Sequence, residues 1–320
     1  RFRPLFFLDD DPNKKGVLIH NVPVVGSPDE LTELRRKYDF QKVVIAMPSA
    51  PQEKIRQIIR QATEAECRVE ILPSLEDIAS GRSHITAIRT PQIEDVLGRP
   101  EVSLQAAKIR SLFESRKVLI TGAGGSIGHE LALQVAGYQP QELILLDRSE
   151  FALYRVEKAI LESGFPGSVQ PVLLDLQDED RVQALFEARE IHHVLHAAAH
   201  KHVPMMERDP REAVVNNSLV SAHLIDTARE NGVERFLLIS SDKAVNPTSV
   251  MGASKRLAEL YLQSRPVRQN GCKLTAVRFG NVLGSSGSVV PLFREQIQRG
   301  GPVTVTHPDM ERFFMTCSEA

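Results

Sequence analysis

A glycine-spaced turn constrains this chain more than any other feature. The segment Thr121-Gly122-Ala123-Gly124-Gly125-Ser126-Ile127-Gly128 follows a strand-like run at 118–121. It precedes a stretch in which Ile127, Leu131 and Val135 share one helix face. Glycines 122, 125 and 128 keep a G-x-x-G-x-x-G spacing. Gly122 permits a tight turn, Gly125 lets the backbone approach a pyrophosphate, and Gly128 lets the helix pack on the strand. Free N–H groups at the helix start, around Gly125, Ser126 and Ile127, then meet the phosphates. Such a turn commits the chain to strand–helix–strand units and hence to a parallel sheet.

The remaining pattern agrees. Strands are expected over 143–146, 169–174, 193–196, 236–240 and 274–279, with helices between them. That predicts an α/β fold: a doubly wound parallel (Rossmann) sheet covered on both faces. A smaller α/β region precedes it, with strands over 5–8, 43–47 and 68–72 and helices over 28–38 and 51–66. No Gly-rich turn stands before Leu5, so this region reads as a Rossmann-like domain truncated at its start. The expected layout is an incomplete domain over 1–80, a connection over 81–116 and a catalytic dinucleotide domain over 117–320, truncated at its end. The chain starts at Arg1 and stops at Ser318-Glu319-Ala320, so it is expected to be a piece of a longer protein.

Composition narrows the function. Of 320 residues, 42% are hydrophobic and 25% charged, which suits a globular core, and the net charge of −2 offers nothing to nucleic acid. No apolar run reaches the roughly 18 residues of a membrane span. Cys67, Cys272 and Cys317 lack zinc-ribbon or disulfide spacing. His192, His193, His196, His200 and His202 cluster, but no carboxylate or cysteine joins them at ligand spacing and Lys201 repels a cation. No metal is expected.

Several residues fall where ligands bind in such sheets. Asp147 ends the strand after the loop, 19 positions beyond Gly128, where an acid binds the adenosine ribose. Arg148 beside it suits a 2′-phosphate instead, so NAD and NADP both stand. Asp175 and Leu176 follow the third strand, towards the adenine. Ala197 and Ala198 are small enough for close approach of the cofactor, and His200, Lys201 and His202 then line the crevice near the second ligand. Asn217 either orients backbone or water there or is plain helix polarity. Asn281 follows a strand end, where its amide reaches a diphosphate. The loop Gly284-Ser285-Ser286-Gly287-Ser288 offers N–H groups to a phosphate, and Arg312 suits a second phosphate or a surface ion pair. Asp9-Asp10-Asp11 is read as a polar turn.

Ser241-Asp242-Lys243 ends the fifth strand of this domain, and Met251-Gly252-Ala253-Ser254-Lys255 opens the next helix. This spacing resembles the Ser/Thr…Tyr-x-x-x-Lys triad of extended short-chain dehydrogenases/reductases, with Met251 in place of tyrosine. Together with Leu146-Asp147-Arg148-Ser149-Glu150, His196–Pro204, Arg278-Phe279-Gly280-Asn281-Val282-Leu283-Gly284 and the stretch 307–316, these segments resemble the large, membrane-anchored UDP-N-acetylglucosamine 4,6-dehydratases of bacterial polysaccharide biosynthesis. The likeness covers nearly all of 117–320, and residues 1–100 are similar to the domain preceding the catalytic one in those proteins.

The resemblance implies a UDP-sugar substrate and a tightly held NAD or NADP that is regenerated in each cycle. Sugar C4 is oxidised, water is eliminated across C5 and C6, and hydride returns to C6. By the same analogy Asp242 is the acid, Lys243 the base, and Lys255 holds the nicotinamide ribose. Met251 has no exchangeable proton, so the proton of the C4 hydroxyl must go elsewhere, for example to Asp242 through a water. A homo-oligomer anchored at the cytoplasmic face of the inner membrane is implied for the full-length protein. A nucleotide-sugar epimerase, inverting C4 or C5, and a non-catalytic nucleotide-binding module are the competing readings.

Overall fold

The computed structural model describes residues 3–47, 49–72, 88–91, 106–266, 271–285, 287–305, 307–316 and 320. Most of the expected connection, at 81–87 and 92–105, lies outside them, as do Ser286 and Cys317. The chain divides into two compact units, Arg1–Glu101 and Val102–Ala320.

The first unit holds strands β1 (Phe7–Leu8), β2 (Leu18–Ile19), β3 (Val22–Gly26), β4 (Lys42–Ile45) and β5 (Arg68–Ile71) with helices α1 (Leu31–Lys37) and α2 (Gln52–Glu64). β4, α2 and β5 form a parallel strand–helix–strand unit around Ile45, Ile58 and Ile71. The apolar spacing anticipated these three elements. It did not anticipate the β2–β3 hairpin, which turns at His20 and Asn21, both at positive φ (49° and 65°). A two-residue loop with both central residues left-handed matches strand twist, but His-Asn is a weak signal for it. The strand expected over 5–8 is shorter than predicted, and the helix expected over 28–38 begins with a 3₁₀ turn at Pro28–Glu30.

The second unit is built on six strands: β6 (Lys117–Thr121), β7 (Glu142–Asp147), β8 (Ser168–Leu173), β9 (His193–His196), β10 (Arg235–Ile239) and β11 (Lys273–Val277). All pair in parallel, in the order β11-β10-β9-β6-β7-β8. This is the doubly wound arrangement that the spacing predicted, with its switch point between β6 and β9. Alternate residues explain the layers. Val118 and Ile120 face a core shared with helices α3 (Ala106–Phe113), α4 (Ser126–Gly137) and α5 (Glu150–Glu162). Leu119, Ile144 and Val194 face the opposite core, with α6 (Glu179–Glu187), α7 (Val203–Arg208) and α8 (Pro210–Val214) following along the chain and α9 (Val220–Glu230) and α10 (Val250–Ser264) packed on it. Each fully buried Val, Leu or Ile contributes about 1.5–3 kcal/mol of transfer free energy, so both faces of this sheet must be covered. A short parallel pair, β12 (Asn281–Val282) with β13 (Phe314–Met315), and helix α11 (Val289–Gln298) complete the unit.

A buried polar chain crosses the middle of the sheet. Thr121 Oγ1 and His196 Nδ1 are 2.6 Å apart, and His196 Nε2 lies 2.9 Å from Ser221 Oγ. Ser221 Oγ donates to the carbonyl of Asn217. The Ser221 proton is thereby used, so His196 carries its own proton on Nε2 and accepts from Thr121 at Nδ1. Burial, with Lys255 nearby, pushes His196 down to about 3. The unfolded imidazole keeps its usual value of 6.5, so it binds a proton that the native state refuses. Stability from this group is complete above pH 6.5 and is lost as pH falls towards 3. Urea midpoints measured from pH 7 to 4 will therefore fall more steeply for the wild type than for His196→Gln; equal slopes would contradict the assignment.

Candidate active site

The loop between β6 and α4 closes as its glycines require. Gly122 sits at φ +66°, and a Cβ on Gly128 would lie 2.1 Å from the Gly122 carbonyl oxygen. Only glycine lets α4 start this close to the strand. The loop forms one wall of a crevice of about 850 Å³ at the carboxyl ends of the strands. Gly124, Gly125, Ser126, Ile127 and Gly128 line that wall, with Arg148 and Ala197 beside them. The loop's open backbone next to a helix N-terminus fits a dinucleotide pyrophosphate.

Asp147 does not line the crevice but ties its rim. Its Oδ2 accepts from Gly124 N and its Oδ1 from Ser149 N, both at 2.9 Å. Arg148 reaches Asp175 at 3.9 Å. Leu176 is buried in the sheet core, and Ala198 backs onto Gly122 rather than the open wall.

The opposite wall comes from the end of β10. Ser241, Lys243, Met251 and Lys255 line it with Asn281. A 3₁₀ turn, Asp242–Ala244, follows Ser241, whose hydroxyl accepts from Lys243 N and so caps it. Lys243 Nζ donates to Asp242 Oδ1 and to Asn281 Oδ1, each at 3.0 Å. Ser241 Oγ donates to the same Asp242 oxygen at 2.9 Å. Burial alone would raise the Asp242 carboxyl, but the hydrogen bonds from Lys243 and Ser241 outweigh it and hold it below the ordinary value. Asp242 is thus ionised; it is bonded to two residues of the crevice wall without being among the lining residues itself. The turn is also fixed from α10: a Cβ on Gly252 would come 2.3 Å from the Lys243 carbonyl oxygen.

Met251 is buried against Met206 and Ala213 at the foot of this wall. One turn on, Lys255 Nζ donates to the Ile239 carbonyl at 2.9 Å. Burial pushes this amine down to about 8, against the pull of Glu259. His200, Lys201 and His202 line the crevice as expected, with Lys201 Nζ 3.4 Å from Ser285 Oγ. Burial lowers both His200 and Lys201, and Arg148 adds to the effect at His200.

One expectation is corrected and one is narrowed. Asn217 orients backbone rather than a ligand: it is buried in a π-helical turn (Val215–Leu219), where it accepts from His200 N and donates to the His200 carbonyl and Ser254 Oγ. Its amide is fully used in holding the His200 backbone, which explains a polar side chain on a buried helix. Arg312 lies on the surface, donating to the Glu311 carbonyl, and is not part of the crevice wall. The sequence reading missed Glu259. This buried carboxylate accepts from Ser240 Oγ at 2.5 Å, Arg256 Nη1 at 2.9 Å and, through two bonds, Arg278. The signal was present: Glu259 shares a helix face with Met251, Lys255 and Leu262.

A cation buried without a directly bonded carboxylate costs stability. The cost at Lys255 is complete below pH 8, where native and unfolded forms are both protonated, and vanishes by about 10.5. Lys255→Met will accordingly raise unfolding free energy at pH 7 by about 1–3 kcal/mol, with the gain shrinking at pH 10. No gain at pH 7 would mean that the amine is not desolvated.

The chain has counterparts among known proteins. Residues 118–320 match the family model described as polysaccharide biosynthesis protein, and residues 1–73 match one described as a CoA-binding domain. Over its whole length the chain is 41% identical to the capsular polysaccharide biosynthesis protein CapD of Staphylococcus aureus, covering 54% of it. The chain thus spans about half the length of the curated relatives that it matches throughout. Over 65% of the chain it is 32% identical to a UDP-N-acetylglucosamine 4,6-dehydratase (inverting) of Campylobacter jejuni, covering 62% of that protein. A UDP-glucose 4-epimerase of Rickettsia canadensis is 34% identical over 64% of the chain and 60% of its own length. Among solved structures, Pen from Bacillus thuringiensis superposes with a TM-score of 0.60 at 33% identity, covering 65% of this chain and 66% of that one. With the first of these models matching more than half of its residues, the chain belongs to the polysaccharide biosynthesis protein family.

Proposed function

We propose that the crevice is the active site of a nucleotide-sugar 4,6-dehydratase acting on UDP-N-acetylglucosamine. The observation that carries the reading is the hydrogen-bonded pair Asp242–Lys243, in which Lys243 lines the crevice wall beside Ser241 and Asp242 is bonded to both. An elimination across C5 and C6 needs a base for the C5 proton and an acid for the departing hydroxyl. A 4-epimerase needs no such pair, and the relative named as an epimerase keeps that alternative in the test. A membrane-anchored, homo-oligomeric parent protein follows from the family resemblance alone.

The glycine loop at 122–128, with Lys255 opposite, would hold a nicotinamide dinucleotide, which when bound would supply a reversible hydride acceptor. Asp147 favours NAD over NADP: its carboxylate, pinned by two N–H groups, suits ribose hydroxyls and repels a 2′-phosphate.

The protons then balance on two side chains. Met251 offers no acceptor of use, but Ser241 Oγ faces the crevice and already donates to Asp242. The C4 hydroxyl proton passes through Ser241 to the Asp242 carboxylate, whose ionised resting state is the form required to receive it. Asp242 then gives this proton, back through Ser241, to the C6 oxygen as it leaves. Lys243 pairs with Asp242 at rest and must first give its proton up to solvent; its amine then takes the C5 proton and gives it back to C5 when C6 is reduced. Each side chain leaves the elimination and reduction in the protonation state in which it entered them. Asn281, by accepting from Lys243 Nζ, fixes the direction in which that nitrogen points. Lys255 remains a buried cation next to the oxidation step.

Incubation with UDP-N-acetylglucosamine is expected to yield a 4-keto-6-deoxy sugar, read by NMR. Lys243→Ala and Asp242→Asn should each lower turnover by about 10²–10⁴-fold while NAD affinity stays within a few-fold. A 4-epimer as the product, or full activity in both variants, refutes the reading. NAD is expected to bind at least about tenfold more tightly than NADP, with Asp147→Ser narrowing the ratio; a preference for NADP would overturn that assignment.

A further inference from the structure

Glu259 has no part in the proton steps above, yet it is buried and accepts four hydrogen bonds. It sits one helical turn beyond Lys255, on the same face of α10. Its Oε1 accepts from Ser240 Oγ and Arg278 Nε, and its Oε2 from Arg256 and Arg278. Ser240 directly precedes the segment carrying Asp242 and Lys243, and Arg278 stands three residues before Asn281. One carboxylate therefore joins the ends of β10 and β11 at the point where each strand delivers a crevice residue. Backbone bonds close the same seam, from Ser240 N to the Val277 carbonyl and from Asp242 N to that of Phe279.

We propose that Glu259 is a positioning residue: its buried carboxylate is the counter-charge that keeps Lys255 an ammonium, and the pin that holds Lys243 and Asn281 in register.

Charge decides the first part. The charged or titratable groups on the elements around Lys255 include Glu259 and Arg256 on α10, His196 on β9, Asp242 and Lys243 beyond β10, and Arg278 beyond β11; α7, α8 and α9 also pack on α10 and carry Glu207, Glu212 and Asp226. His196 is neutral, and Asp242 is matched by Lys243. Burial drives the Lys255 amine towards neutrality, and Glu259 is the carboxylate whose field opposes it. Glu259 itself stays ionised: burial would raise it, but Arg278, Ser240 and Arg256 hold it at about 2. It is therefore a permanent negative charge across the working pH range. Replacing it with a neutral amide leaves two arginines uncompensated and shifts Lys255 further towards the free amine.

The consequence for turnover rests on the dehydratase reading, whereas the charge does not, and the test separates them. Lysine labelled with ¹³C at Cε reports each amine's titration by NMR, with the Lys255 signal identified by its loss in Lys255→Met. In Glu259→Gln the Lys255 midpoint should fall by about one pH unit, a tenfold loss of proton affinity. Glu259→Asp, which keeps the charge, should leave it near the wild-type position. Arg278→Gln, which removes a neighbouring cation, should move it upward, and this opposite sign provides a second test should Glu259→Gln fail to fold. In turnover assays the alkaline limb of kcat should move to lower pH in Glu259→Gln by the same amount, with KM for UDP-N-acetylglucosamine within about twofold and the limb restored in Glu259→Asp. An unmoved Lys255 midpoint, or identical behaviour of the Gln and Asp variants, overturns the proposal. If the midpoints shift as stated while the wild type makes no keto sugar, the dehydratase reading fails and the assignment of Glu259 stands.

Discussion

The amine of Lys243, divided between the Asp242 carboxylate and the Asn281 amide, is the interaction around which the second unit is organised. Asp242 shares its turn after β10 while Asn281 arrives on β12 beyond β11, so the contact exists only if β10 and β11 end at the right heights. The parallel register, the backbone bonds at the seam and the packing of Gly252 against the Lys243 carbonyl all serve that condition. The glycine loop on β6 faces the same crevice because the sheet reverses its order between β6 and β9. A ligand held by that loop is thereby brought towards the ends of the later strands.

Charge burial follows from the same arrangement. Lys255 and Glu259 would be unfavourable inside an ordinary core, and each survives through a particular set of partners. Glu259 is saturated by hydrogen bonds from cations and a hydroxyl. Lys255 has one carbonyl, and its amine is correspondingly depressed. Two neighbouring groups on one helix thus show both outcomes of desolvation: full compensation and a shifted equilibrium. His196 shows a third, remaining neutral within a chain of hydroxyls.

The sheet was legible because its signals are local. The spacing of glycines 122, 125 and 128, and the apolar runs between helical stretches, encode strand order through the rules of parallel connections. Ser241, Lys243, Met251 and Lys255 were legible from their spacing, and they do share one wall. What escaped was long-range. The sequence leaves Asn217 between orienting backbone or water and plain helix polarity, and only three-dimensional packing shows its whole amide used on the His200 backbone and Ser254. Arg312 was chosen for its chemistry, and chemistry alone does not say that its guanidinium turns to the Glu311 carbonyl. Glu259 lay on the buried face of α10 by periodicity, but its arginine partner arrives from β11, which no local pattern reveals. The β2–β3 hairpin was missed because His20-Asn21 lacks the glycine that usually marks such turns.

The central claim is that one crevice oxidises C4, removes water across C5–C6 and reduces C6 without releasing the hydride. UDP-N-acetylglucosamine carrying deuterium at C4 tests it most directly, with the product read by NMR. The account predicts that the label appears in the C6 methyl group of a 4-keto product. Deuterium still attached to C4, in unchanged or inverted sugar, would contradict it.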